Sequence, residues 1–284
     1  MTLGGYTLDA IDAGRLRLDG GAMFGIVPKN LWARQTPADD ENRITLAMRC
    51  LLLRGHGRTV LVDCGLGDRF DDRFAKIYGV EHPRDTLARS LEVAGVGMSD
   101  VTDVLLTHLH FDHAGGATVR GEDGALAPAF PNATYHVQRG HWAWAHESPR
   151  ETASFLPEHM APLEAAGCLN LLGPGETPLP NVELVTVDGH TRGMQLPLLR
   201  DPEGGAPPLL YAADLFPTAA HVPLLWIMAY DVAPLDTLAE KGRLLARASE
   251  EEWTVMFEHD PTCALARIAR TDRGFEAADR RDTL

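Results

Sequence analysis

Apolar runs of strand length alternate with stretches of helical period along this chain. Ile44 to Leu53 and Arg58 to Asp63 are two such runs joined by Gly55-His56-Gly57, which predicts a pair of strands about a tight turn with His56 in solvent. Tyr6 to Ala10 and Leu16 to Leu18 are strand-like before them. After them, Val101 to Leu106, Ala133 to Val137 and Val182 to Val187 predict further strands, as do the runs starting at Met194, Leu209 and Trp253. Between these the period changes. Leu87, Leu91 and Ala94 recur at helical spacing and end at Gly95, a good terminator. Arg139 to Glu147 predicts a helix whose His141 and His146 belong on its surface, and Leu238, Leu244, Leu245 and Ala248 give Asp236 to Ala248 an amphipathic face. Glu151 to Ala166 has a helical pattern interrupted at Pro157 and Pro162. The tail, Ala264 to Ala278, predicts a hairpin about Asp272-Arg273-Gly274. Strands separated by helical patterns predict an α/β protein with helices packed on sheets.

One stretch breaks both periods. Asp19 to Trp32 mixes glycines with Met23, Phe24, Ile26 and Trp32, which makes poor core material. We expect a loop there that shapes a substrate pocket, packs on a sheet edge or meets a second copy of the chain; a homodimer is the expected partner arrangement. The Gly/Pro-rich pieces Gly173 to Pro180 and Asp201 to Pro208 are short and lie between strand-like runs, so a single domain over residues 1–284 is expected. At 284 residues and 45% hydrophobic composition, the chain can bury a substantial core.

Charge and cysteines narrow the class. The 26 basic against 40 acidic side chains give a net charge of −14, which repels a phosphate backbone and argues against nucleic acid as a partner. The four cysteines are scattered without C-x-x-C spacing, which points to a reducing compartment. The start, Met-Thr-Leu-Gly-Gly-Tyr, has neither the basic head nor the apolar core of a signal peptide, and no run is long enough to span a bilayer. A cytoplasmic protein without a membrane partner is the expectation.

The chemistry concentrates in His108-Leu109-His110-Phe111-Asp112-His113. The motif follows a buried strand, so His108 and His110, two apart, project to the same side. Asp112 and His113 come where the chain must turn, with Gly115 and Gly116 permitting a close turn of the backbone. One loop therefore offers ligands to two metal ions. Histidine and aspartate are borderline ligands that suit zinc and, less selectively, manganese, iron or cobalt.

This motif resembles that of the metallo-β-lactamase superfamily of hydrolases. Gly189-His190-Thr191, Ala213-Asp214 and Phe257-Glu258-His259-Asp260 each close a strand-like run and match the family's remaining ligands in order. The resemblance implies an αββα sandwich with the metal loops along one edge of two sheets. It implies two divalent ions, one held by His108, His110 and His190, the other by Asp112, His113 and His259, with Asp214 bridging. It implies Asp63, in Val62-Asp63-Cys64-Gly65, as a support behind the ligands. It also implies a hydroxide nucleophile shared by the two ions, with Asp112 or Asp214 accepting and returning the proton.

The family's branches separate on ligands and flanks. An acid in place of His110 would suggest a redox di-iron protein, and a cysteine in place of Asp214 a zinc β-lactamase; neither occurs. Gly20 to Lys29, Tyr78-Gly79-Val80, Phe130-Pro131-Asn132-Ala133 and His221 to Asp231 are similar to YtnP-type quorum-quenching lactonases. That likeness implies opening of N-acyl-homoserine lactones, with Met23, Phe24, Ile26 and Trp32 toward the substrate. Phosphotriesterase, aryl esterase and glyoxalase-type thioesterase activities stay open beside it, as does a non-catalytic metal-dependent sensor. Better-known homoserine lactonases carry a tyrosine shortly after the bridging aspartate, whereas Pro217 stands three residues after Asp214 here. Tyr230 and His221 are candidates for lining the pocket, against core packing and a surface loop respectively.

Overall fold

The computed structural model describes residues 1–284. Two mixed sheets lie face to face. The first has seven strands in the order Thr2–Leu3, Tyr6–Asp19, Arg43–Gly55, Arg58–Val62, Asp103–Leu105, Thr134–Gln138 and Leu169–Leu172. The second has six, from Val182–Val187 through Met194–Leu199, Leu209–Tyr211, Thr254–Met256 and Leu265–Thr271 to Gly274–Arg281. One apolar cluster fills the space between them, joining Leu51, Leu53, Val60 and Val62 to Leu196, Leu198, Leu210 and Val255. The helix Pro234–Glu250 adds Leu244, Leu245 and Ala248 to that cluster from the far side of the second sheet. A separate cluster on the outer face of the first sheet packs Met48, Cys50 and Leu52 against Leu87 and Leu91 of Thr86–Val93 and Met160 and Leu163 of Pro157–Ala165. The result is the αββα sandwich. Residues 50–53 read as a continuous apolar run because both faces of that strand are buried.

The elements depart from expectation at a few points. Tyr6 to Ala10 and Leu16 to Leu18 are one 14-residue strand, whose register with Arg43–Gly55 shifts at an irregularity between Asp12 and Arg15 where Gly14 takes φ +113°. Pro157 starts its helix and Pro162 lies inside it. Residues 19–32 are not a loop but contain two short helices, Gly20–Phe24 and Lys29–Trp32, with Met23, Phe24 and Trp32 buried. No helix of the structure is long and apolar enough to cross a membrane.

Strand direction decides where the chemistry falls. Val182–Val187 and Leu209–Tyr211 are both antiparallel to the strand between them, and Leu209–Tyr211 is parallel to Thr254–Met256. Three strands of the second sheet therefore end at one edge, just before His190, Asp214 and His259. In the first sheet Arg58–Val62, Asp103–Leu105 and Thr134–Gln138 are parallel, so Asp63 and His108 leave from a common end as well.

Candidate metal centre

The backbone at this edge is unusually close-packed. A Cβ on Gly115 would meet Leu66 O at 2.2 Å, and one on Gly116 would meet Cys64 O at 2.2 Å. These glycines serve close approach of two chains rather than a special turn, since Gly115 has φ −59°. Cys64 N donates to His113 O at 2.7 Å across the same contact. Asp63 and Ala213, each beside the centre, adopt φ +58° and +41°, a left-handed conformation costly for non-glycine residues.

All seven side chains expected from the motif and its resemblance come together, and they form two groups. His108 Nε2 lies 3.0 Å from His110 Nδ1, which is 3.3 Å from His190 Nε2. His190 Nε2 is 3.1 Å from Asp214 Oδ2. On the other side, His113 Nε2 lies 3.1 Å from His259 Nε2, with Asp112 Oδ2 3.8 Å from the latter. Asp214 Oδ1 is 3.0 Å from His259 Nε2. Each oxygen of Asp214 thus faces one group.

Every imidazole is held from behind. His108 Nδ1 lies 3.0 Å from Thr107 Oγ1, whose hydroxyl donates to Asp63 at 2.6 Å. His113 Nδ1 meets Asp63 Oδ2 and Glu258 Oε2, each at 3.1 Å. His190 Nδ1 meets Asp231 Oδ1 at 3.1 Å, His259 Nδ1 donates to Ala47 O at 2.7 Å, and His110 Nε2 meets Glu151 Oε1 at 2.9 Å. With its proton on the outward nitrogen, each ring points a lone pair inward. Lone pairs 3.0–3.3 Å apart need positive charge between them.

The electrostatics favour that charge. Burial opposes a proton on His190 and His259, but the Asp214 carboxylate outweighs it and holds their pKa values at about 10 and about 9. Burial keeps His108 and His110 below the ordinary histidine range, so they remain neutral donors. Burial also works against charge on Glu151, yet its hydrogen bond to His110 prevails and its pKa falls to about 2. Asp214 Oδ1, almost wholly enclosed, has no hydrogen bond. A buried carboxylate oxygen without a hydrogen bond, amid five imidazoles, fits divalent ions of borderline character.

A cavity of about 450 Å³ opens onto this cluster. Met23 and Tyr230 line it, together with Tyr78, Arg150, Glu151 and Met228. Four expected pocket residues do not. Phe24 is stacked between Trp32 at 5.2 Å and His221 at 4.5 Å, so Phe24 and Trp32 form a packed layer behind Met23. Ile26 is 91% exposed and faces solvent. His221 is neither pocket wall nor surface loop: it is buried, with Thr218 Oγ1 and Met23 O each 2.8 Å from its ring. His141 is likewise buried, accepting from Leu109 N at 2.9 Å and so bracing the motif itself, whereas His56 and His146 are exposed as expected. Glu151, Asp231, Glu258, Thr107 and Tyr78 have site positions that no spacing in the chain announced.

The metallo-β-lactamase superfamily model matches residues 48–259, and the chain belongs to that superfamily. It is 32% identical over 177 residues to a probable metallo-hydrolase of Mycobacterium tuberculosis, covering 54% of this chain and 53% of that protein. It is 27% identical over 173 residues to an N-acyl homoserine lactonase of Bacillus cereus, covering 58% and 62%. The chain thus spans about half the length of the curated mycobacterial relatives it matches. Among solved structures, a probable metal-dependent hydrolase from Staphylococcus aureus superposes with a TM-score of 0.89 over 100% of both chains at 26% identity. AidC, a dizinc quorum-quenching lactonase, gives 0.78 over 98% of this chain and 95% of that one; at 20% identity this shows a shared fold alone.

Proposed function

We propose that this protein is a metal-dependent hydrolase and that it opens the lactone ring of N-acyl-homoserine lactones. The observation that carries the reading is a cavity with a polar floor and apolar walls. His110, Asp112, His190, Asp214 and His259 form the floor, while Leu18, Met23, Leu46, Phe111 and Met228 stand around it. Such a space suits a compact ester headgroup on an apolar tail. A second hollow of about 500 Å³ shares Tyr78 and Ala153 with the first and is walled by Leu66, Phe70, Phe74 and Leu156, which gives the tail room. The likeness to lactonases of Bacillus supports the same substrate class.

Divalent ions in the two groups would activate water and polarise the lactone carbonyl. The chain supplies the rest. His108, His110 and His190 form one ligand group, Asp112, His113 and His259 the other, and Asp214 spans both. Asp112 or Asp214 takes the proton from the attacking water and returns it to the ring oxygen as the acyl–oxygen bond breaks, which leaves a hydroxy acid. Tyr78 and Tyr230, on the cavity wall, are placed to meet the substrate carbonyl in the role that Pro217 leaves vacant. Four free cysteines support a reducing, cytoplasmic setting. Ile26 and Leu225, 91% and 66% exposed, stand on segments joined by the Ala229 N to Ala22 O bond and offer a face to a second copy; light scattering would measure it.

The test is turnover of acyl-homoserine lactones of increasing chain length by the metal-loaded protein, beside a phosphotriester and a thioester. Lactone opening that strengthens with chain length and disappears on chelation is expected. Intact lactones with rapid phosphotriester or thioester turnover would move the protein to those activities. Two bound ions with no turnover of any of them would favour a sensor.

A further inference from the structure

Four of the five clustered imidazoles point Nε2 inward and hold outward with Nδ1. His110 is reversed: Nδ1 faces the cluster, and Nε2 points to Glu151 Oε1 at 2.9 Å. Glu151 reaches it from 41 residues further along the chain, beyond the end of Arg139–Glu147, and is only 5% exposed. Its Oε2 accepts from Trp144 Nε1 at 2.6 Å and from Ser148 Oγ at 2.8 Å. Those two donors fix the carboxylate relative to the helix. The segment carrying Glu151 also brings Arg150, Ala153 and Ser154 to the substrate cavity.

We propose that Glu151 is a positioning residue for the metal group of His108, His110 and His190, acting by keeping the His110 proton on Nε2 so that the Nδ1 lone pair is free for the ion. The proposal rests on the metal-centre reading above. A neutral imidazole can carry its proton on either nitrogen, and its hydrogen-bond partner decides which. A carboxylate only accepts, so it selects Nε2–H. A glutamine in its place has one acceptor and one donor end. Trp144 and Ser148 both donate, so they attract the amide oxygen and leave the NH2 facing His110. That NH2 selects the opposite tautomer, with a proton on Nδ1 directed into the cluster where the cation belongs. Through Glu151 the substrate-facing segment 150–154 is also tied to one ligand of the centre, and to none of the others.

The experiment uses the full chain stripped of metal and titrated with cobalt(II) and zinc(II) against a chromophoric chelator, for wild type and Glu151→Gln. Two ions bound by wild type, with one of the two weakened about 10–100-fold in the variant, are expected. In the cobalt-loaded variant, the visible bands of one ion shift while those of the other persist. Nitrogen-15 NMR of zinc-loaded wild type gives an independent reading: among the five rings, His110 alone carries its proton on Nε2. That measurement needs no variant and holds even if Glu151→Gln folds poorly. Wild-type affinities and spectrum in Glu151→Gln, or a proton on His110 Nδ1 in wild type, would overturn the proposal while leaving the metal centre intact. Failure of wild type itself to bind two ions would overturn both.

Discussion

The floor of the cavity and its rim are built on opposite terms. Beneath the floor, His108 and His113 are fully enclosed; every ring nitrogen facing outward has a named partner, and the supporting segments leave from strand ends in two packed sheets. At the rim, Tyr78 caps the six-residue helix Asp72–Ile77, which buries none of its own side chains, and Tyr230 is 38% exposed in an irregular stretch. Arg150 crosses the mouth to a backbone carbonyl, Ala229 O, at 2.6 Å. On the proposed function, rigid elements hold the groups that do the chemistry, and weakly packed segments hold those that meet the substrate's variable part. Changes at the floor should therefore cost orders of magnitude and changes at the rim small factors.

The largest effect is expected at Asp214, whose two oxygens face the two groups. Asp214→Ala should lose both ions together and lower kcat/KM by on the order of a thousandfold or more. Metal analysis and kinetics on one preparation check this, and full activity in the variant would refute the centre. Asp231 comes next. It stands behind His190 and also accepts from Met228 N at 3.3 Å, so it joins floor to rim. Asp231→Ala should weaken one ion by about 10–100-fold. An unchanged affinity would mean that His190 is oriented by packing alone.

The rim calls for smaller numbers. Tyr230→Phe removes one hydroxyl from the wall, and a single hydrogen bond to a neutral group is worth about 0.5–1.5 kcal/mol, so kcat/KM should fall by about tenfold or less. Metal content should not change. If Tyr230→Phe loses an ion, or falls as far as Asp214→Ala, floor and rim are one unit and the contrast between them is wrong.

The same division explains what could be read in the chain. Ligands to a metal are restricted to a few residue types, so the cluster His108, His110, Asp112 and His113 stood out by itself, while His190, Asp214, His259 and the sandwich that gathers them came from the resemblance to the superfamily. The supports of these ligands were not visible. A ring nitrogen accepts help from a carboxylate such as Glu151, a hydroxyl such as Thr107 or a bare carbonyl such as Ala47 O, so no residue type or spacing marks the partner. Residues 19–32 were misread for a related reason. Their glycines and mixed apolar residues have no period, yet Phe24 is buried because Trp32 and His221 stack on it and Trp226 meets it edge-on. Burial created by distant segments leaves no local pattern.

His221 provides the finest test, because it belongs to the rim's support rather than to the centre. It is buried and neutral: burial pushes its pKa down to about 3, and Lys241, whose Nζ donates to His221 O at 2.7 Å, adds to the shift. An unfolded histidine titrates near 6.5. Between those values the unfolded chain takes up a proton that the folded ring refuses, so this contribution to stability is complete above about pH 6.5 and is lost as pH falls toward 3. His221→Gln removes the titration while keeping an N–H to donate to Met23 O. In metal-free protein, where the ligands cannot exchange ions for protons, urea unfolding followed from pH 6.5 downward should therefore show a shallower loss of stability in the variant. The difference should approach one proton, about 1.4 kcal/mol per pH unit. At pH 8 the metal-loaded variant should turn over lactone within a few-fold of wild type, since His221 supports Met23 only from behind. Equal slopes would mean that the ring is solvated or already charged in the folded state, and the packed layer of Trp32, Phe24 and His221 would have to be given up.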